Sequence, residues 1–167
     1  MDAELFRTLV STPGISGREE RIRDVVNKEI EGLVDEVRID RLGNLIGVRE
    51  GDGARVMLAA HMDSIGFLVR HIDDNGFLRL SPVGGFDPRT LVMQRVLVQG
   101  KKDYVGLVSP QDPPIHKQQK EDREKAPKLD DLFVDLMLPA EEVKANVSIG
   151  DPISLHREAE VTDRVVA

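Results

Sequence analysis

The stretch that most constrains this chain is Val56 to Val69, VMLAAHMDSIGFLV, in which a histidine and an aspartate two residues apart interrupt an otherwise apolar run. The consecutive apolar residues Val56 to Ala60 predict a strand covered on both faces, and in open α/β sheets ligands gather just beyond the carboxyl end of such a strand. His61 and Asp63 stand at that end. Side chains at i and i+2 of an extended segment share a face, so His61 can bind a metal through one ring nitrogen while Asp63 accepts the proton of the other. Such a carboxylate fixes the tautomer and makes the imidazole a better ligand. A bare H-x-D triplet favours a satisfied histidine beside a strand-end cap, so the metal reading depends on what surrounds it.

Two helices open the chain. Asp2 can cap the first, with Leu5, Phe6, Leu9 and Val10 on its buried stripe, and Pro13-Gly14 stops it. Ser16 and Glu19 form an S-x-x-E capping box ahead of a second helix carrying Ile22, Val25, Val26, Ile30 and Leu33 at helical period. Strands are expected at Glu36 to Asp40 and Leu45 to Arg49 around Gly43-Asn44, and at Arg55 to Ala60 after Gly51-Asp52-Gly53. Helix, helix, strand, strand, strand is the opening of an α/β sandwich.

After His61 the texture changes. Ile65 to Ile72 and Phe77 to Leu80 flank Asp74-Asn75-Gly76, where Asn-Gly accepts the positive φ angles of a tight hairpin turn. Further short strands are expected at Arg95 to Gln99, Tyr104 to Val108, Leu132 to Leu136 and Pro152 to His156, between Gly/Pro-rich turns. Many short strands with turn punctuation indicate a small β-rich, barrel-like domain. The expected division is 1–64 for the N-terminal part of an α/β domain, 65–159 for an inserted β-rich domain and 160–167 for the return to the first.

The other imidazoles read as surface or packing residues: His71 on a strand, His116 after Pro113-Pro114, and His156. The Pro82 to Pro88 segment, PVGGFDP, lacks the lysine of a phosphate loop and precedes no capped helix, so it reads as a structural turn. No G-x-S-x-G elbow and no H-E-x-x-H helix occur. Acidic residues are plentiful, but no pair stands out as a glycosidase dyad.

Composition narrows the chemistry. Cysteine is absent, which excludes disulfides, thiolate nucleophiles and thiolate metal sites, so any metal must be held by nitrogen and oxygen. A net charge of -7 and 4% aromatics disfavour nucleic acid, having neither a basic footprint nor stacking platforms. No apolar run approaches the ~20 residues of a membrane helix and no signal peptide is evident, giving a cytoplasmic expectation. The mixed-charge run Lys117 to Lys128 reads as a solvated surface, with Lys117/Glu121, Lys120/Glu124 and Glu121/Lys125 at i,i+4 spacing.

AAHMDSIGFLVRHIDDNGFLRLSPVGGFDPRTL resembles the corresponding region of the M42 family of metallopeptidases, which includes glutamyl and tetrahedral shell-forming aminopeptidases. Members of that family are often labelled endoglucanase or cellulase M. LVSTPGISGREERIRDVV and VRIDRLGNLIGV resemble the family's N-terminal helices and first strands, and LFVDL with VSIGDPISLHREAEV resembles the end of its inserted domain. The M20-type architecture also uses an H-x-D histidine at a strand end, but the match along the whole chain, including the NG hairpin and GGFDP, favours M42.

The resemblance implies a binuclear metal-dependent aminopeptidase that hydrolyses N-terminal residues of peptides. It implies two divalent ions, zinc or cobalt, with His61 a metal ligand and Asp63 its orienting partner in the catalytic site. It also implies homo-oligomers, from dimer up to dodecamer, built through the inserted oligomerisation domain. In the family the remaining ligands and an adjacent pair of glutamates follow that domain, so this chain reads as an N-terminal portion, inactive alone and not retaining the metals. Ser64 departs from the acidic residue usual after the triplet. The alternative is a non-catalytic subunit-association module.

Overall fold

The computed structural model describes residues 3–111 and 126–160. The Asp2 cap, His116, residues 117–125 of the charge run and residues 161–167 lie outside them. The described chain divides into two compact units, one comprising the residues up to Ser64 and those from Glu158 on, the other Ile65–Arg157.

The first unit holds helices α1 (Ala3–Ser11) and α2 (Glu20–Glu29) and the antiparallel strands β1 (Glu36–Ile39) and β2 (Leu45–Val48). Ile22 of α2 is buried, and the Arg23 guanidinium donates to the Gly43 carbonyl at 3.2 Å, tying the helix to the β1–β2 turn. Gly47 of β2 backs onto Val34 and Ile30, where an added Cβ would come within 3.2 Å of Val34 Cγ1.

Four expectations fail in this unit. No residue of α1 is buried and Val10 is 51% exposed, and α2 ends at Glu29, so that Ile30 and Leu33 lie beyond it. The capping box at Ser16 does not form: α2 starts at Glu20, its N-cap Glu19 makes no side-chain cap, and the Glu19 carboxylate instead accepts from the Gly17 N–H at 2.6 Å. Arg55 to Ala60 forms no strand, and Met57 and Leu58 are 87% and 94% exposed. A strand buried on both faces needs paired neighbours and covering layers. Among the described residues, β1 and β2 pair only with one another.

The second unit is a closed antiparallel barrel of β3 (Gly66–Ile72), β4 (Leu78–Val83), β5 (Arg95–Gln99), β6 (Asp103–Pro110), β7 (Leu132–Asp135) and β8 (Pro152–Leu155), in the order β3-β4-β7-β6-β5-β8. The mixed α/β class with a barrel-like β-rich part is therefore as the sequence indicates. Strand alternation builds the core: Phe67 and Val69, Leu78 and Leu80, Val96 and Val98, Leu132 and Val134 point inward at period two and are buried. Closure leaves no free strand edge. The short helix α3 (Ala140–Asn146) adds Val143 to the same core.

The β3–β4 turn differs in detail from the expected one. Only Gly76 takes positive φ, at 86°. The Asp73 carboxylate accepts from the N–H groups of Asn75 and Phe77, so aspartate and glycine shape the turn and Asn75 needs no left-handed conformation. PVGGFDP is structural: Phe86 stacks on Phe67 with centroids 4.2 Å apart, and Asp87 caps the 3-10 turn Pro88–Thr90.

Candidate metal-ligand site at His61

The loop that carries H-x-D is held from below by the turn at Gly14 to Arg18. Arg18 N–H donates to the Ile15 carbonyl at 2.8 Å, and Gly17 sits at φ 80°, a conformation glycine adopts without penalty. Ile15 is fully buried. Gly14 lies so near α2 that a Cβ would stand 2.4 Å from Ile22 Cγ2. Ser64 then clamps the two segments, since its N–H and its hydroxyl both donate to the Gly14 carbonyl, at 2.7 and 3.2 Å.

On this support the His61 ring presents Nδ1 to two oxygens of one residue, Asp63 Oδ1 at 3.0 Å and the Asp63 carbonyl at 3.1 Å. Both oxygens are acceptors, so Nδ1 carries a hydrogen, and in the neutral ring the lone pair then resides on Nε2. The His61 side chain is 85% exposed, leaving that nitrogen open to an incoming ligand. The other carboxylate oxygen of Asp63 accepts from the Ser16 hydroxyl. The Ser16 hydroxyl and then the His61 ring hold the Asp63 carboxyl below the usual carboxylate range, and it is ionised at neutral pH.

The expected contact between His61 and Asp63 is present, but not at the end of a hydrogen-bonded strand. His71 lies on β3 beside an irregularity in its pairing with β4, and the His156 N–H donates to the Arg95 carbonyl just past β8. Both belong to the barrel unit, and the H-x-D loop to the other. Ser16 has the local spacing of a helix cap, and no local signal points to its actual partner, which lies 47 residues away in sequence. Among the described residues, no three His, Asp or Glu side chains converge as a metal cage would require. The donor chemistry fits one end of a nitrogen/oxygen site for a divalent cation without completing it.

The chain is 41% identical over 123 residues to a lysyl aminopeptidase of Pyrococcus furiosus, covering 72% of this chain and 36% of that one. A TET aminopeptidase from a marine-sediment Thaumarchaeota archaeon superposes with a TM-score of 0.88 at 30% identity, covering 96% of this chain and 46% of that one. The Pyrococcus horikoshii TET1 peptidase, described as assembling into a tetrahedron or a large octahedral shell, gives 0.83 at 32% identity, covering 96% and 48%. The chain spans 42% and 36% of the length of the first two curated relatives it matches. The family model described as M42 glutamyl aminopeptidase matches residues 43–166, which include the H-x-D loop and every strand of the barrel. With that match over most of its length, the chain belongs to the M42 glutamyl aminopeptidase family.

Proposed function

We propose that this chain supplies one corner of the active site of a binuclear metal-dependent aminopeptidase acting on peptide N-termini, and that the chain alone is inactive. The observation that carries the reading is His61, with Nδ1–H held by Asp63 and its exposed ring offering Nε2. A divalent cation such as zinc or cobalt supplies Lewis acidity toward a scissile carbonyl when bound. His61 would be one ligand, and Asp63 would keep the proton on Nδ1 and raise the basicity of the ligating nitrogen. A catalytic zinc generally takes several protein ligands, and the described residues bring only this one with its partner. The aminopeptidase names of the relatives support the reaction class. A cytoplasmic location is part of the same reading. It draws on the soluble composition and on the absence, among the described residues, of a helix long and apolar enough to cross a membrane.

The test is cobalt titration of the 167-residue chain followed by NMR, with zinc calorimetry and an assay on amino-acid anilides. Selective paramagnetic broadening of the His61 ring, weak zinc binding and no turnover are expected. Equal broadening of His61, His71 and His156 would remove the metal role. Tight stoichiometric zinc binding with turnover, both lost in His61→Ala, would overturn the claim that the chain alone is inactive.

The second reading, a subunit-association module, draws on the barrel. The outer face of its wall carries Leu97 opposite Val105; Val105 is 44% exposed, and Met137 of the same unit is 69% exposed. Assembly of a similar peptidase into shells supports homo-oligomerisation, and the exposed apolar face of the barrel is the surface we assign to it. Concentration-dependent sedimentation of the chain, weakened by Val105→Asp, is the expected behaviour. A strictly monomeric chain at all concentrations would count against it.

A further inference from the structure

We propose that Ser16 is a positioning residue for His61: its hydroxyl holds the far oxygen of Asp63, so that the near oxygen stays on the ring and keeps His61 in its Nδ1–H form. The inference rests on the ligand reading of His61 for its purpose, but its geometry stands apart from any metal.

Three observations carry it. Ser16 donates to Asp63 Oδ2 while Asp63 Oδ1 accepts from His61 Nδ1, so one carboxylate is gripped at both ends. A half-buried carboxylate such as Asp63, held at one oxygen only, can still turn about its terminal torsion, which is broad. The Ser16 hydroxyl is not spent on helix capping, the role its S-x-x-E context suggests, since α2 starts at Glu20 and Glu19 serves Gly17. The turn that carries Ser16 is itself anchored, by buried Ile15, by Gly14 against Ile22 and by the two bonds from Ser64 to the Gly14 carbonyl. That anchoring fixes the hydroxyl relative to the H-x-D loop. A histidine in solution prefers the opposite tautomer, with the hydrogen on Nε2, where it would block a ligand. The Ser16–Asp63 bond biases the ring toward the form that leaves Nε2 open.

The test is long-range ¹H–¹⁵N correlation on histidine-labelled 167-residue chain, in mildly alkaline buffer where imidazole is neutral. His61 is expected mainly as the Nδ1–H tautomer, whereas exposed His71 and His156 take the ordinary preference. Ser16→Ala is expected to lower the His61 tautomer ratio by roughly threefold, less than the full worth of a hydrogen bond to a charged group because the site is exposed and the effect is relayed. Ser16→Thr, which keeps the hydroxyl, should retain the parent ratio, and Ser16→Val, which keeps the threonine shape without it, should match alanine. Unchanged amide shifts at Ile15 and Ser64 show that the turn is intact. If they move in Ser16→Ala, the threonine and valine pair decides.

An unaltered ratio in both alanine and valine variants, or a threonine variant that behaves like valine, overturns the inference. The two proposals fail separately. A tautomer shift on losing the hydroxyl without selective cobalt broadening of His61 keeps Ser16 as a positioning residue and removes the metal role. Selective broadening with an unmoved tautomer does the reverse.

Discussion

A Cβ on Gly106 would stand 2.5 Å from Val134 Cγ1 and 2.8 Å from Leu136 Cδ2, so the inner wall of the barrel at β6 has room for a hydrogen and nothing larger. The third close atom, the Asp135 carbonyl at 3.2 Å, is backbone and cannot swing aside. Gly106→Ala is therefore expected to destabilise the chain by about 1–3 kcal/mol, the usual cost of overpacking. Gly53 meets nothing within 4 Å and has no left-handed φ, so Gly53→Ala should be neutral or slightly stabilising. Urea unfolding of the two variants side by side checks the pair. Equal midpoints would mean that the β6–β7 wall yields.

The β3–β4 turn gives a second contrast. The Asp73 carboxylate accepts two backbone N–H groups, from Asn75 at 2.9 Å and Phe77 at 3.0 Å, while Asn75 is exposed and not left-handed. Asp73→Ala should cost about 1 kcal/mol, and Asn75→Ala less than about 0.5 kcal/mol. A larger loss at Asn75 in thermal unfolding would restore the Asn-Gly account of this hairpin.

These residues show where sequence was readable and where it was not. The barrel was legible because alternation along one strand, as in Phe67 and Val69 or Val96 and Val98, is a local signal with a single structural meaning once turns punctuate it. The pairing of Asp63 with His61 was legible for the same reason, as two residues of separation bring them together directly. Ser16 was not legible. Its spacing to Glu19 fits a cap, and only folding brings Asp63 near enough to take the hydroxyl instead. The Val56 to Ala60 run misled for a different reason. An apolar run says that a segment would pair and be covered if partners are present, and the described residues contain none for it. In the hairpin, Asp73 competed successfully with Asn75 because a carboxylate reaching two residues on satisfies two amides at once.

The β1–β2 turn should respond to acid. Asp40 is held below the usual carboxylate range, first by the Asn44 side chain and then by the Asn44 N–H, with Leu42 and Gly43 contributing. A carboxyl whose folded value is depressed adds stability that is fully present above its unfolded value and fades as pH falls through the folded one. The fading should therefore lie below the ordinary carboxylate range, and be small because the group is exposed and screened. The Asn44 side-chain amide shifts are expected to follow this titration, and Asp40→Asn to flatten it. A midpoint at or above the ordinary range would contradict the hydrogen bonding at 2.8 and 2.9 Å that depresses it.

The exposed run ahead of His61 should govern how the chain behaves in solution. Val56, Met57 and Leu58 stand 82%, 87% and 94% exposed, with Ala59 and Ala60 exposed beside them. The segment carries neither charge nor proline from Val56 to Ala60, the composition of an aggregation-prone window. Because these side chains pack against nothing, polar replacements cost no burial, and surface substitutions of this kind usually change stability by less than about 0.5 kcal/mol. Leu58→Lys with Met57→Ser is expected to raise the concentration at which light scattering sets in, with an unchanged urea midpoint. The barrel supplies the comparison. Val98 is fully buried, and Val98→Lys should abolish the folded baseline by placing an unpaired charge in a dry core. If the Met57/Leu58 pair instead lost several kcal/mol of stability, the segment would be buried in solution, and the unpaired arrangement of Val56 to Ala60 would be wrong.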